Sequence, residues 1–297
     1  MKKDEVSVIG GVNVDVTASM TATYIERDSI PGHVSMDCGG VARNIAHDLL
    51  VLGHEVRFVT LFGSDAFGDM CYGQCSRLGM DLSLSERLAD VRNGLYLCVN
   101  DQHGDMVVAV ADTDIIDRLT PQFLETRMKA INASAAVVAD TNVSEASLAY
   151  LLDHCEVPLM VDAVSTAKAG RIVRALASSG RGMLDTLKLN RQEALVISCQ
   201  ESVERAVAWF HNAGVRQVFV TLGADGVYCS DGVSSLLLPA LPVDVVNTTG
   251  AGDAFLAGVV HAQVHGKPMD AAARCGLRVA RAVLESPGAY LRTSQIE

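Results

Sequence analysis

The run Asn247-Thr248-Thr249-Gly250-Ala251-Gly252-Asp253 joins a strand-like segment carrying Val243, Val245 and Val246 to an apolar helical segment from Ala254 to Val260. Small residues at Gly250, Ala251 and Gly252 let backbone N–H groups converge at a helix N-terminus, where they suit a phosphate or a developing anion. Asp253 falls beside that point. A phosphate repels a carboxylate there unless the carboxylate has work, such as orienting a hydroxyl and accepting its proton as a bond forms. The pattern points to phosphoryl transfer. Taken alone, the same segment reads equally as a tight turn with Asp253 as a helix cap.

Four other clusters bear on that choice. Cys38-Gly39-Gly40-Val41-Ala42-Arg43-Asn44 opens a helix in which Ala42, Ile45, Ala46, Leu49 and Leu52 repeat at helical spacing. A sugar hydroxyl can approach the backbone at Gly39 and Gly40 while Asn44 offers a donor and an acceptor. Asn13-Val14-Asp15 follows the first strand, where residues beyond a parallel strand's carboxyl end face the ligand crevice. Asp15 can accept two hydroxyl hydrogen bonds, as a diol requires, or simply make an Asx turn. Asn190 and Glu193 share one face of a helix start and can hold a hydrated Mg2+, which needs few protein oxygens, although a solvated first turn explains the same pair. Thr221-Leu222-Gly223-Ala224-Asp225-Gly226 has the form of a nucleotide-contacting turn, and equally of a plain glycine turn.

The elements that must position these residues alternate. Short apolar runs at Val6–Ile9, Val56–Leu61, Ala135–Ala139, Leu159–Val161, Leu187–Leu189 and Gln217–Thr221 are interleaved with helical stretches such as 144–153 and 201–213. In the second of these, Val203, Ala206, Val207 and Phe210 form one apolar stripe. Such alternation predicts a mostly parallel sheet with helices on both faces. Two segments, 13–36 and 94–110, break the rhythm. In the second, Leu95–Asn100 and Met106–Val110 flank Asp101-Gln102-His103-Gly104 as a hairpin would. They are expected to form a small β-lid that keeps water from the phosphoryl donor. An exposed lid strand invites pairing with a second copy, hence a homodimer.

With 49% hydrophobic and 20% charged residues, a compact core is well provided for, and the formal charge of -11 argues against a nucleic-acid or anionic-membrane surface. No apolar run approaches the roughly 20 residues of a membrane helix. The eight cysteines lack C-x-x-C pairs and suit reduced thiols, so the expectation is a cytoplasmic protein. His54, His261, His265 and the other histidines considered show no catalytic partner or metal spacing along the chain.

Taken in order, Asn13-Val14-Asp15, Gly39-Gly40 with Asn44, Asn190 with Glu193, Thr221-Leu222-Gly223 and Thr248–Asp253 resemble the ribokinase-like (PfkB) family of sugar and nucleoside kinases across nearly the whole chain. The resemblance implies a single domain over 1–297 with a three-layer α/β/α fold, a β-lid, ATP and Mg2+. It implies Asp253 as catalytic base, and Gly250, Ala251 and Gly252 as the anion hole. Asn13, Asp15, Gly39, Gly40 and Asn44 would hold the sugar; Asn190 and Glu193 would serve the metal-phosphate network; Thr221, Gly223, Gly226 and Thr249 would line the nucleotide. Within the family the chain looks most like pseudouridine kinases, through Gly-Gly-Val-Ala-Arg-Asn-Ile-Ala at 39–46, Val161-Asp162-Ala163-Val164-Ser165 with Lys168, and Asn247. That likeness adds Ser165 and Lys168 to the substrate side and implies phosphorylation of the 5′-hydroxyl of pseudouridine, with ribose or another nucleoside as the alternative. Such kinases often carry Pro where Ala163 stands, so a differently shaped loop is expected. Many relatives carry Asp in place of Asn247, where the carboxylate helps bind a monovalent cation; the resemblance leaves K+ open.

Overall fold

The computed structural model describes residues 4–292. Its strands are β1 (Glu5–Ile9), β2 (Asn13–Met20), β3 (Gly32–Gly39), β4 (Glu55–Val59), β5 (Leu61–Phe62), β6 (Glu86–Arg87), β7 (Gly94–Asn100), β8 (Met106–Asp112), β9 (Ala136–Asp140), β10 (Leu159–Asp162), β11 (Leu184–Asn190), β12 (Val215–Thr221), β13 (Val227–Ser230) and β14 (Ser235–Leu238). The α-helices are α1 (Val41–Val51), α2 (Ala66–Arg77), α3 (Pro121–Glu125), α4 (Met128–Ile131), α5 (Glu145–His154), α6 (Thr166–Ser178), α7 (Arg191–Ser198), α8 (Val203–Asn212), α9 (Ala251–Val264) and α10 (Met269–Leu284).

The main sheet runs β14-β13-β12-β11-β10-β9-β1-β4. From β4 to β12 neighbouring strands are parallel, and β13 and β14 close the edge as antiparallel strands. Side chains alternate across it, which makes the three layers. Ile9, Val137, Val161, Val218 and Val220 enter one buried cluster with residues of α5, α6 and α8, while Val8, Val138, Met160 and Phe219 enter another with residues of α1, α9 and α10. The predicted stripe on α8 faces inward, with Ala206, Val207 and Phe210 buried. α9 is buried along most of its length. It lies tight on α10 because a Cβ on Gly258 would come within 2.8 Å of the Gly276 Cα.

The two segments that break the alternation form their own sheet, β3-β2-β7-β8. Its strands reach Gly39 and Asp112, slightly beyond the expected limits of 36 and 110, because the β2–β3 and β7–β8 ladders continue to Asn13↔Gly39 and Leu95↔Asp112. The Leu95–Asn100 and Met106–Val110 hairpin is present, with a bulge at Val99/Asn100. The register puts Met36, Val16, Leu97 and Val110 in one row and Val34, Ala18, Val99 and Val108 in the next, all on one face. Asp37, Asp15 and Tyr96 lie on the other. Among the described residues, no helix is long and apolar enough to cross a membrane.

Candidate active site

Gly250 caps α9 in the left-handed region, with φ 80°. A Cβ there would fall 1.9 Å from the Ala289 carbonyl oxygen, so only glycine lets the chain turn into the helix at this point. The first turn of α9 leaves backbone amides without intrahelical acceptors, and Asp253 lies in that turn, buried. Asn44 Nδ2 donates to its Oδ2 at 2.9 Å. Asn44 is held in turn by Arg43, whose Nη1 donates to Asn44 Oδ1 at 3.3 Å and whose guanidinium lies 4.6 Å from the Tyr290 ring centroid. The first helix thus aims an amide donor at the first turn of the ninth.

Burial pushes the Asp253 carboxyl up to about 7, and Asp162 and Asp140 add to the rise while Lys188 and the Asn44 hydrogen bond oppose it. Lys188, near the end of β11, is buried and paired with Asp162 at 3.0 Å. Burial works against its charge, but Asp162, Asp253 and Glu193 outweigh burial and hold the ammonium above its usual range. A Cβ on Gly252 would stand 2.6 Å from Lys188 Nζ, so the cation rests directly against the glycine turn. A carboxylate poised near neutrality, beside the amides of a helix start and a fixed cation, can take a hydroxyl proton while negative charge builds next to it.

The residues expected to hold the sugar meet around β2, β3 and α1. Asn13 Nδ2 donates to Asp15 Oδ1. A Cβ on Gly39 would fall 2.0 Å from Asp15 Oδ2, so this glycine makes room for the carboxylate. Gly40 precedes α1 with φ 105°. Burial raises Asp15 to about 6, the Asn13 bond opposing and Asp37 adding. Lys168 Nζ donates to Asn142 Oδ1 at 2.6 Å, and Asn142 lines a small cavity with Asn13, Gly40 and Gly94. Ser165 caps no amide of α6 with its side chain. The loop before it is distinctive: Val164, a β-branched residue, holds φ 63° where Ala163 precedes it.

On the other side, Asn190 and Glu193 form a capping box at the start of α7. Asn190 Oδ1 accepts from the Glu193 amide at 2.9 Å, and Glu193 Oε2 accepts from the Asn190 amide at 2.8 Å. Burial raises the Glu193 carboxyl, with Lys188 opposing. Thr221 faces Asn190 across the β11–β12 ladder. Gly223 and Gly226 both adopt positive φ, and a Cβ on Gly226 would strike the Leu238 carbonyl at 2.0 Å. The Thr249 amide donates to Asn247 Oδ1 at 3.0 Å, which ties the glycine turn together.

The pfkB family carbohydrate kinase model matches residues 3–296. The chain belongs to the PfkB family. It is 35% identical over 275 residues to a pseudouridine kinase of Escherichia coli, covering 90% of this chain and 86% of that one. It is 33% identical over 267 residues to an uncharacterized sugar kinase, YeiI, of the same organism, covering 87% and 72%. A structure of Arabidopsis thaliana ribokinase complexed with ribose and ATP superposes with a TM-score of 0.86 at 20% identity, covering 98% and 97%, which establishes the ribokinase-like fold. This PfkB chain is therefore a sugar or nucleoside kinase, a phosphotransferase acting on an alcohol.

In this PfkB protein the structure brings Asp253, Asn44 and the glycine turn together, and Asp15 with Asn13 and Gly39. It adds partners that motif reading did not assign: Lys188 with Asp162, Asp140 at the start of α1 through the Ala42 amide at 3.1 Å, and Arg43 behind Asn44. Their signal in the sequence was slight. Lys188 stands two residues before Asn190 and Asp162 ends a strand, yet neither motif says that adjacent strands would pair them.

Proposed function

We propose that this kinase transfers the γ-phosphoryl group of ATP to the 5′-hydroxyl of pseudouridine, giving pseudouridine 5′-phosphate and ADP. The observation that carries the reading is the Asp253 carboxyl, held near neutrality at the mouth of a glycine turn with Lys188 beside it. Asp253 orients the acceptor hydroxyl and takes its proton. The amides of Gly250, Ala251 and Gly252 and the Lys188 ammonium meet the charge that spreads over the transferring group. Asp15 holds the ribose hydroxyls, with Gly39 and Gly40 allowing close approach; Asn44 fixes Asp253 through its amide nitrogen, its own carbonyl oxygen being held by Arg43.

The residues present fit ATP and Mg2+. The cradle that a Cβ on Gly252 would fill, with a buried ammonium against it, suits a polyphosphate. Asn190 and Glu193 offer an all-oxygen donor set with one carboxylate; because both carboxylate oxygens already bond Asn190, they would hold the ion through its waters. Bound ATP and Mg2+ would supply the phosphoryl group and neutralise its charge. Asn247, bonded to the Thr249 amide and the Pro287 carbonyl, stands where a carboxylate for a monovalent cation would be, so K+ dependence is open to direct measurement.

Pseudouridine is favoured over other acceptors by the E. coli relative, and a sugar is the second reading because YeiI is nearly as similar. Initial rates with pseudouridine, uridine, adenosine and ribose, side by side, test this. Pseudouridine should have the highest kcat/KM; a clear win for ribose overturns the substrate and leaves the kinase. Asp253→Asn should lose on the order of 10²–10⁴ in kcat, and near-normal turnover would remove Asp253 as base.

A further inference from the structure

The turn after α1 and the end of α9 bring three imidazoles together, at the opposite end of that helix from Asp253. His54, His261 and His265 each present one ligand atom, and the three atoms lie within 4.8 Å of one another. Chain spacing gave no hint of this, since His54 and His261 are 207 positions apart. His54 Nε2 and His261 Nδ1 stand 3.0 Å apart. Two nitrogens bound at about 2.0–2.1 Å to a tetrahedral Zn2+ stand about 3.3 Å apart, so this pair is already spaced as one edge of such a site. His261 and His265 lie one helical turn apart, and His265, exposed at the helix end, can swing in to complete the set.

The outer ring nitrogens are anchored as those of metal-bound histidines commonly are. His54 Nδ1 donates to the Asp4 carbonyl oxygen at 3.0 Å, and His265 Nδ1 to the His261 carbonyl oxygen at 2.7 Å. A carbonyl only accepts, so the Nδ1 atoms of His54 and His265 carry protons and their Nε2 atoms keep a lone pair for a cation, while His261 Nδ1 donates to His54 Nε2 and passes that proton to its own Nε2 when a cation binds. The Asp4 carboxylate favours a cation near His54; Arg278 and Lys267, which line the adjoining groove, oppose one. That balance disfavours Mg2+, which gains little from imidazole, and leaves the site to ions that bind imidazole strongly.

We propose that His54, His261 and His265 form a Zn2+-type transition-metal site that staples the α1–β4 turn to the end of α9, with water in the fourth position. His261 lies eight residues beyond Asp253, about 12 Å along the axis of the same helix, so the metal anchors the helix that carries the base without touching the reaction. The proposal stands apart from the substrate assignment.

The test uses tag-free, chelator-treated full-length protein, ZnCl2 and, as control, MgCl2, read by calorimetric titration and thermal unfolding without nucleotide. One equivalent of Zn2+ should bind and, at a hundredfold excess over Kd, raise Tm by roughly 4 °C. Mg2+ should not. His265→Ala and His261→Gln should each weaken Zn2+ binding about tenfold or more. His265→Ala, at an exposed position, should keep the metal-free Tm, which separates loss of a ligand from loss of fold. Co2+ should give the d–d absorption of a four-coordinate site in wild type and lose it in both variants. Absence of saturable Zn2+ binding, or binding unchanged in both variants, overturns the site and leaves a hydrogen-bonded histidine pair.

Discussion

Asp253 illustrates how one buried carboxyl is tuned by what surrounds it. Burial is the largest influence and raises it, Asp162 and Asp140 raise it further, and Lys188 and Asn44 pull it back, leaving it at about 7. Two consequences follow in opposite directions. In the proposed role of base, Asp253 would work only when ionised, so kcat/KM should climb with pH and level off above an apparent pKa near 7. Lys188→Met removes the cation that favours the carboxylate, so the pH–rate profile of that variant should show its acid limb moved upward. For stability the sign reverses. Between the usual aspartate value of 3.8 and about 7 the folded state binds more protons than the unfolded one, so this residue's contribution falls as pH rises through that window. Asp253→Asn, which cannot ionise, should therefore gain Tm relative to wild type as pH rises from about 4 to about 7. A constant Tm difference across that range would contradict the raised value.

At the scale of the element, two glycines in one turn serve different ends. Gly250 needs φ 80° and sits against backbone, so Gly250→Ala should cost the fold several kcal/mol, on the order of other strained core changes. Gly252 is already helical, and the atom its Cβ would meet is the tip of a lysine side chain. Gly252→Ala should change stability by no more than about 1 kcal/mol, while displacing Lys188 and lowering kcat. Denaturation midpoints and turnover for the two variants check this contrast. The capping box makes a third case. Glu193→Gln keeps a side chain able to reach the Asn190 amide, so stability should change by less than about 1 kcal/mol. If Glu193 holds Mg2+ through water, the Mg2+ concentration for half-maximal rate should rise.

For the whole molecule, the small sheet is two-sided. Its polar face carries Asp15, Asp37 and Tyr96, and Tyr290 from the chain's end donates to Asp37 at 3.0 Å. Its apolar face begins in the core at Val14 and Cys38 and runs outward to Val34, Met36, Val108 and Val110, which are 51–69% exposed. An apolar sheet face of this kind, continuous with the core, calls for a cover. We propose a second copy of the chain, face to face, which would also hold both lids over their sites. Sedimentation should give twice the protomer mass of 31.5 kDa, and Val108→Glu should return the monomer. A wild-type monomer at micromolar concentration would rule this cover out.

Much of the site was legible before any fold was known where neighbouring residues alone dictate local geometry. Glycines at 250 and 252 before an acidic residue and an apolar helix specify a turn, free amides and a carboxylate within one short segment. The alternation of apolar runs was enough for a parallel sheet between helices, because burial on both faces writes itself into each strand. What only the tertiary structure decided are the meetings across distance. Asn44 reaches Asp253 over 209 positions, Lys188 finds Asp162 because β10 and β11 are neighbours, and His54 reaches His261 only because α1 and α9 pack on the same side of the sheet. Motif spacing records bonds along the chain; charge compensation, a carboxyl near 7 and a cluster of imidazoles arise from burial and approach through space, which no single segment encodes.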